Sequence, residues 1–167
     1  MLEVRTAAVY EIDGRLLVRT VNRCGHAGIE EKRTDIVDGY PGIEPGELGR
    51  TVQAALARCR EVSWPTSWPL MRDYARPLLE LSPRRYRSYR SWQRAARYAS
   101  VRATEESVRA ERWYPDLGRG GWEPIPSDPV EDEWTYEVVV PADVGLAGMG
   151  AAILTVLAAP PLRDVPL

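Results

Sequence analysis

The sequence predicts an α+β fold: an antiparallel β-sheet built from two similar β-rich halves, each ending in a helix. Three observations predict it. Two β-rich runs flank Asp13-Gly14, one amphipathic run has clear helical spacing, and the order of these pieces recurs in the second half of the chain. Helices that follow runs of strands, rather than alternating with them singly, belong to α+β architectures. At 167 residues, 44% hydrophobic and 28% charged, the chain has the length of one ordinary domain and enough apolar residues to bury a core. A single compact domain over residues 1–167 is expected. Its half-repeats span about 1–62 and 88–160, joined by a Trp/Pro-rich connector at 63–87.

The first element is a hairpin. Glu3 to Tyr10 and Arg15 to Val21 are rich in β-forming residues, and Asp-Gly between two such runs is a strong hairpin signal. Asn22 to Gly28 reads as an irregular glycine-containing loop, and Lys32 to Val37 as a further strand. Pro45 and Gly46 open a helix on which Leu48, Val52, Ala55, Leu56 and Cys59 share one face. Glu47 in its first turn and Arg58 and Arg60 at its end suit the helix dipole.

From 61 to 83, Trp64-Pro65, Trp68-Pro69, Arg76-Pro77 and Ser82-Pro83 read as a partly extended connector, since each proline disfavours helix at the residue before it. Ser88 is placed to cap a short helix running to about Arg97. Tyr98–Ala103 and Val108–Trp113 form a second hairpin, turning at Thr104–Ser107. Trp122 to Pro126 is short and extended, and Trp134 to Val140 alternates as a strand. Asp143 is expected to cap a final helix of small residues that ends before Pro160-Pro161. The internal likeness pairs Gly28-Ile29-Glu30 with Gly121-Trp122-Glu123, and Glu47-Leu48-Gly49 with Asp143-Val144-Gly145.

Charge is unevenly placed. Residues 61–112 hold eleven basic and six acidic groups, whereas 113–167 hold two and nine. Arg84 to Arg97 contains six arginines and no acid, interleaved with Tyr86, Tyr89 and Trp92. Such a run can hold phosphates and stack bases, so a nucleic-acid-binding module is the alternative reading. The net charge of −2 weighs against a dedicated nucleic-acid binder, and pairing with the acidic C-terminal part is the simpler expectation. Asp128, Glu131, Asp132, Glu133 and Trp134, with Glu137 just beyond, form an acidic segment around an aromatic anchor. It is a candidate surface for a basic partner.

No catalytic constellation stands out. His26 is the only histidine, and Cys24-x-His26 lies among glycines. Cys24 and Cys59 read as free thiols, and one histidine with two cysteines does not make a structural zinc set. The glycine clusters at 25–28 and 118–121 match neither phosphate-binding loop pattern. No cofactor is therefore expected. The sixteen-residue apolar stretch Val144–Ala159 contains three glycines and falls short of the ~20 residues of a membrane span. With no secretory signal at Met1–Val9, a cytoplasmic protein without membrane partners is expected.

One string resembles a known family. Ser91-Trp92, Ala95-Ala96, Ser100-Val101 and then Gly120-Gly121-Trp122-Glu123-Pro124-Ile125-Pro126 resemble the contact-dependent growth inhibition immunity proteins. Glu47-Leu48-Gly49 with Ala55-Leu56 is similar to that family's closing helix. Gly120, Gly121, Trp122, Pro124, Pro126, Glu47, Leu48 and Gly49 are thus structural motif positions. The resemblance implies a non-enzymatic antitoxin, a monomer or weak dimer, whose partner is the cognate toxin domain of a secreted effector. It also implies that the toxin's active site, in a nuclease-like case a basic cleft, is covered by the immunity protein; nucleic acid is not the expected partner.

Overall fold

The computed structural model describes residues 3–64, 71–119, 121–125 and 135–160. Eight strands and four helices follow in chain order. They are β1 (Arg5–Ile12), β2 (Arg15–Cys24), β3 (Ala27–Glu30), β4 (Asp35–Asp38), α1 (Pro45–Ala57), α2 (Met71–Leu81) and α3 (Tyr89–Ala95). After these come β5 (Arg97–Ala103), β6 (Ser107–Asp116), β7 (Gly121–Pro124), β8 (Glu137–Pro141) and α4 (Gly145–Ala158). The strands make one curled antiparallel sheet in the order β3-β2-β1-β5-β6-β7, with β4 also paired to β2 and β8 to β6.

The first hairpin forms as expected. Asp13 and Gly14 both take positive φ, 50° and 83°, the two-residue turn whose twist matches that of the flanking strands. β2 then runs three residues past its predicted end. Its outer edge is shared, Arg15–Val18 pairing with β4 and Val21–Cys24 with β3. Residues 22–28 are thus a tight hairpin and not an irregular loop, because β3 satisfies backbone groups that a loop would leave to water. On the other side of β1·β5, β6 shares its edge in the same order, with Ser107–Glu111 taken by β8 and Trp113–Asp116 by β7. The strings Gly28-Ile29-Glu30 and Gly121-Trp122-Glu123 lie in β3 and β7.

One face of the sheet is apolar and covered by two helices. Ala7, Val9, Leu16, Val18, Ala99, Val101, Val108 and Ala110 point to α1 and α4. The two helices meet through glycine. A Cβ on Gly49 would stand 1.9 Å from the Leu146 carbonyl oxygen, and one on Gly150 would stand 1.8 Å from that of Pro45. The reciprocal contact therefore matches Gly49 with Gly150, not with Gly145 as the sequence strings align them. Two further details differ from expectation. Val144 occupies the N-cap position of α4 without a side-chain cap, so Asp143 is not its cap, and no basic residue lies in the last turn of α1.

The opposite face is aromatic and half covered. Ala8, Tyr10, Ile12, Leu17 and Tyr98 pack beneath α2 and α3. α2 replaces much of the expected connector and carries Pro77 inside it. Its buried Ala75 and Leu78 outweigh the lost backbone bond, and Arg15 and Arg19 fasten it by donating to the carbonyls of Leu81 (2.8 Å) and Tyr74 (3.0 Å). Ser88 caps α3 in a reciprocal box with Ser91. α3 ends at Ala95 because Arg97 already belongs to β5. Among the described residues, no helix is long and apolar enough to cross a membrane.

Candidate recognition groove

Where α2 and α3 stop, the aromatic face continues uncovered and forms a groove of about 690 Å³. Strand alternation builds it. In β5, Ala99 and Val101 point to the core, so Tyr98, Ser100 and Arg102 point the other way. Cross-strand partners share a face, which puts Trp113 beside Tyr98 and Thr6 beside Arg102 and Val21. The far wall is the β2–β3 hairpin, with Val21, Arg23, His26 and Glu30.

The aromatic wall is pre-arranged. Tyr98 meets Trp113 edge-on with centroids 5.7 Å apart, and Trp122 at 5.2 Å. Behind them Tyr10 stacks on Tyr98 at 4.8 Å and Trp92 stands perpendicular to Trp122. Rings locked in this way present area at little entropic cost on binding. Glu30 is held at the base: the Tyr10 hydroxyl donates to one carboxylate oxygen and Arg19 Nη1 to the other at 3.3 Å. Arg19 is fully buried, and its Nε donates to the Thr34 hydroxyl at 2.9 Å. Burial, more than the nearby Glu30 charge, pushes the Tyr10 and Tyr98 phenols well above their usual range. Burial likewise pushes Tyr89 up to about 12. All three phenols keep their proton at neutral pH.

Beyond the groove the same face continues over β6 and β8. Arg109 sits between Glu111 (3.6 Å) and Glu137 (3.7 Å), with exposed Val139 next to them. Glu137, predicted as a partner contact, thus lies on the uncovered face. Asp128, Glu131, Asp132, Glu133 and Trp134 lie outside the described residues, as do Gly120 and Pro126 of the motif string. Gly121, Trp122 and Pro124 form β7, where Trp122 packs into the aromatic cluster. Leu48 is buried under the sheet, Glu47 stands in the first turn of α1, and Gly49 is the helix contact.

Cys24 and His26 do not form a dyad. Cys24 is buried, whereas His26 is exposed at the hairpin tip and makes no hydrogen bond with a described residue. Among the described residues, no three His, Cys, Asp or Glu side chains gather where they could hold a metal ion. Sequence reasoning missed Tyr98, Ser100, Arg102, Trp113 and Glu30 as a group. The alternation of β5 was a readable signal, but the far wall comes from a strand some seventy residues away and needs the sheet's curl.

No family model matches this chain, and no curated protein matches it. Solved structures do. One is a protein of unknown function from Neisseria meningitidis, with a TM-score of 0.69, 15% identity, and coverage of 93% of this chain and 94% of that one. Another is a CdiA-CT/CdiI toxin and immunity complex from Yersinia pseudotuberculosis, with a TM-score of 0.67 and 13% identity. It covers 92% of this chain and 96% of the matched chain. The fold is shared end to end. At this identity the likeness concerns the fold alone.

Proposed function

We propose that this protein is an immunity protein, a non-enzymatic antitoxin that binds the toxic C-terminal domain of an effector delivered into the cell. It acts in the cytoplasm as a monomer or weak dimer. The observation that carries this reading is the end-to-end fold likeness to a chain of the Yersinia toxin and immunity complex. It agrees with the resemblance of the string at 91–126, which rests on different evidence. The uncovered groove is the toxin-binding surface. Trp, Tyr and Arg dominate the energetics of protein interfaces, and Tyr98, Trp113, Trp122 and Arg102 supply them on one concave wall. Asp128, Glu131, Asp132 and Glu133 precede β8 in the chain and, with Glu137 of the uncovered face, are the acidic toxin contacts of this reading. Carboxylates suit a toxin with a basic, nuclease-like cleft, which they block by charge-assisted hydrogen bonds.

Calorimetric titration with the C-terminal domain of a large secreted effector encoded beside this gene, at two salt concentrations, tests the reading. One-to-one binding at nanomolar or tighter affinity is expected, on the order of −12 kcal/mol. The variant E131Q/D132N/E133Q should bind more weakly and lose part of the salt dependence. Absence of binding to a folded toxin domain overturns the assignment, and an unchanged affinity in the triple variant removes the acidic segment from the interface.

A further inference from the structure

The arginine run resolves into two parts once folded. Its aromatic residues turn inward: Trp92 is fully buried and donates its indole N–H to Ser82 Oγ at 2.7 Å, and Tyr89 stacks on Trp92 at 5.5 Å. Tyr86 is tied by its hydroxyl to Asp13, which also takes Arg84 at 2.9 Å. Arg85, Arg87, Arg90 and Arg94 are all exposed, and none forms a hydrogen bond or ion pair with a described residue. The stretch from 81 to 104 contains no acidic residue.

This arrangement is locally unfavourable. Arg87 precedes the N-cap of α3 and Arg90 lies in its first turn, where the helix dipole favours anions, and that turn has no acidic residue. Arg90 and Arg94 stand four apart on a seven-residue helix, a like-charge pair that costs rather than stabilises. Arg94 stands in the last turn, where the dipole favours it, but among the described residues no acidic side chain pairs with any of the four arginines. We propose that the exposed face of α3 and the turn before it bind a nucleic-acid phosphate backbone. The surface is separate from the groove and independent of toxin binding.

Chemistry favours this occupant over an acidic protein. A protein interface needs an apolar or aromatic centre, and here Trp92 is buried while Tyr86 and Tyr89 lie half-buried against the aromatic core. What is left is planar guanidinium forks, which match phosphate oxygens in pairs. With its rings packed against the core and not free to stack on bases, the patch is indifferent to base sequence. Binding rests on counterion release.

The test is fluorescence anisotropy of a labelled single-stranded RNA oligonucleotide titrated with the full chain across a salt series. Four phosphate contacts predict a log–log salt slope of about −3, or ~50-fold weaker binding between ~50 and ~200 mM salt. R90Q/R94Q should roughly halve the slope, and R85Q/R87Q/R90Q/R94Q should abolish binding with melting temperature unchanged or slightly raised and toxin affinity unchanged. No binding at low salt overturns the proposal. So does an unchanged slope in the quadruple variant. If poly-glutamate of matched charge displaces the RNA as well as unlabelled RNA does, the surface belongs to an acidic protein and the proposal falls.

Discussion

The two faces of the sheet are made by the same strands and do different work. On the α1/α4 face, small and branched residues meet two helices that cross at glycines, and the cover runs from β4 to β8. On the other face, large rings and buried polar groups lie under α2 and α3, and the cover stops midway. The first face buries its apolar residues against two helices over most of its length and therefore carries the fold. The second keeps its rings ordered by packing them against one another, then leaves the last of them at an open edge. Rigidity behind a half-buried aromatic wall is what a binding surface needs, since less freedom is lost when a partner docks.

Variants on each face sharpen the contrast. The largest expected loss is at Trp92, which has no exposed surface and touches Tyr10, Tyr89 and Trp122. Trp92→Ala should cost about 3–5 kcal/mol in urea denaturation and slacken the groove wall behind it. A loss below about 1 kcal/mol would mean that the aromatic cluster is not a core.

Gly150→Val attacks the opposite face. Its Cβ would overlap the Pro45 carbonyl, so α4 must move off α1 at a cost of roughly 3 kcal/mol, read as a fall in melting temperature. The groove lies on the far side, so toxin affinity of the folded fraction should not change.

Alkaline pH acts on the aromatic face through its buried tyrosines, while Arg112 of β6, lowered by burial to about 10, works in the opposite sense on the other face. Tyr89 has its phenol raised to about 12 in the folded state, against about 10 in an unfolded chain. Above pH 10 the unfolded chain loses this proton while the folded one keeps it. Stability from this group is therefore complete below about pH 10 and declines as pH rises towards 12. Tyr10 and Tyr98 shift in the same direction. Unfolding free energy measured from pH 9 to 12 should fall, and Tyr89→Phe should make the fall shallower.

Arg102→Glu should change stability least, within about 0.5 kcal/mol, because the side chain is exposed at the groove. Its effect belongs to binding, where at least a tenfold loss, about 1.4 kcal/mol, is expected in the toxin titration. A variant that binds like the parent would move the interface off the uncovered face.

Local signals were read well where the chain's own chemistry decides the outcome. Asp13-Gly14 makes its turn, Ser88 caps α3, and the Leu48–Leu56 stripe lies under the sheet, each set within a few residues of itself. Reading failed where distant partners decide. Pro77 argues against helix locally, yet α2 forms because Leu78 is buried against the sheet and Arg15 and Arg19 hold its carbonyls. Residues 22–28 carry turn-forming glycines, yet most pair in a hairpin because β2 has a free outer edge there. Asp143 has the right side chain for a cap, but the backbone enters α4 one residue later.

The sequence by itself determined the α+β class, the two long hairpins, the amphipathic α1 and the concentration of arginines between 84 and 97. Each follows from periodicity or capping over a short span. Only the tertiary structure decided which arginines face solvent, which rings line a groove, and that half of one sheet face has no helix over it. Those outcomes depend on the sheet's curl and on strand pairs far apart in the chain, where burial energy exceeds any local preference.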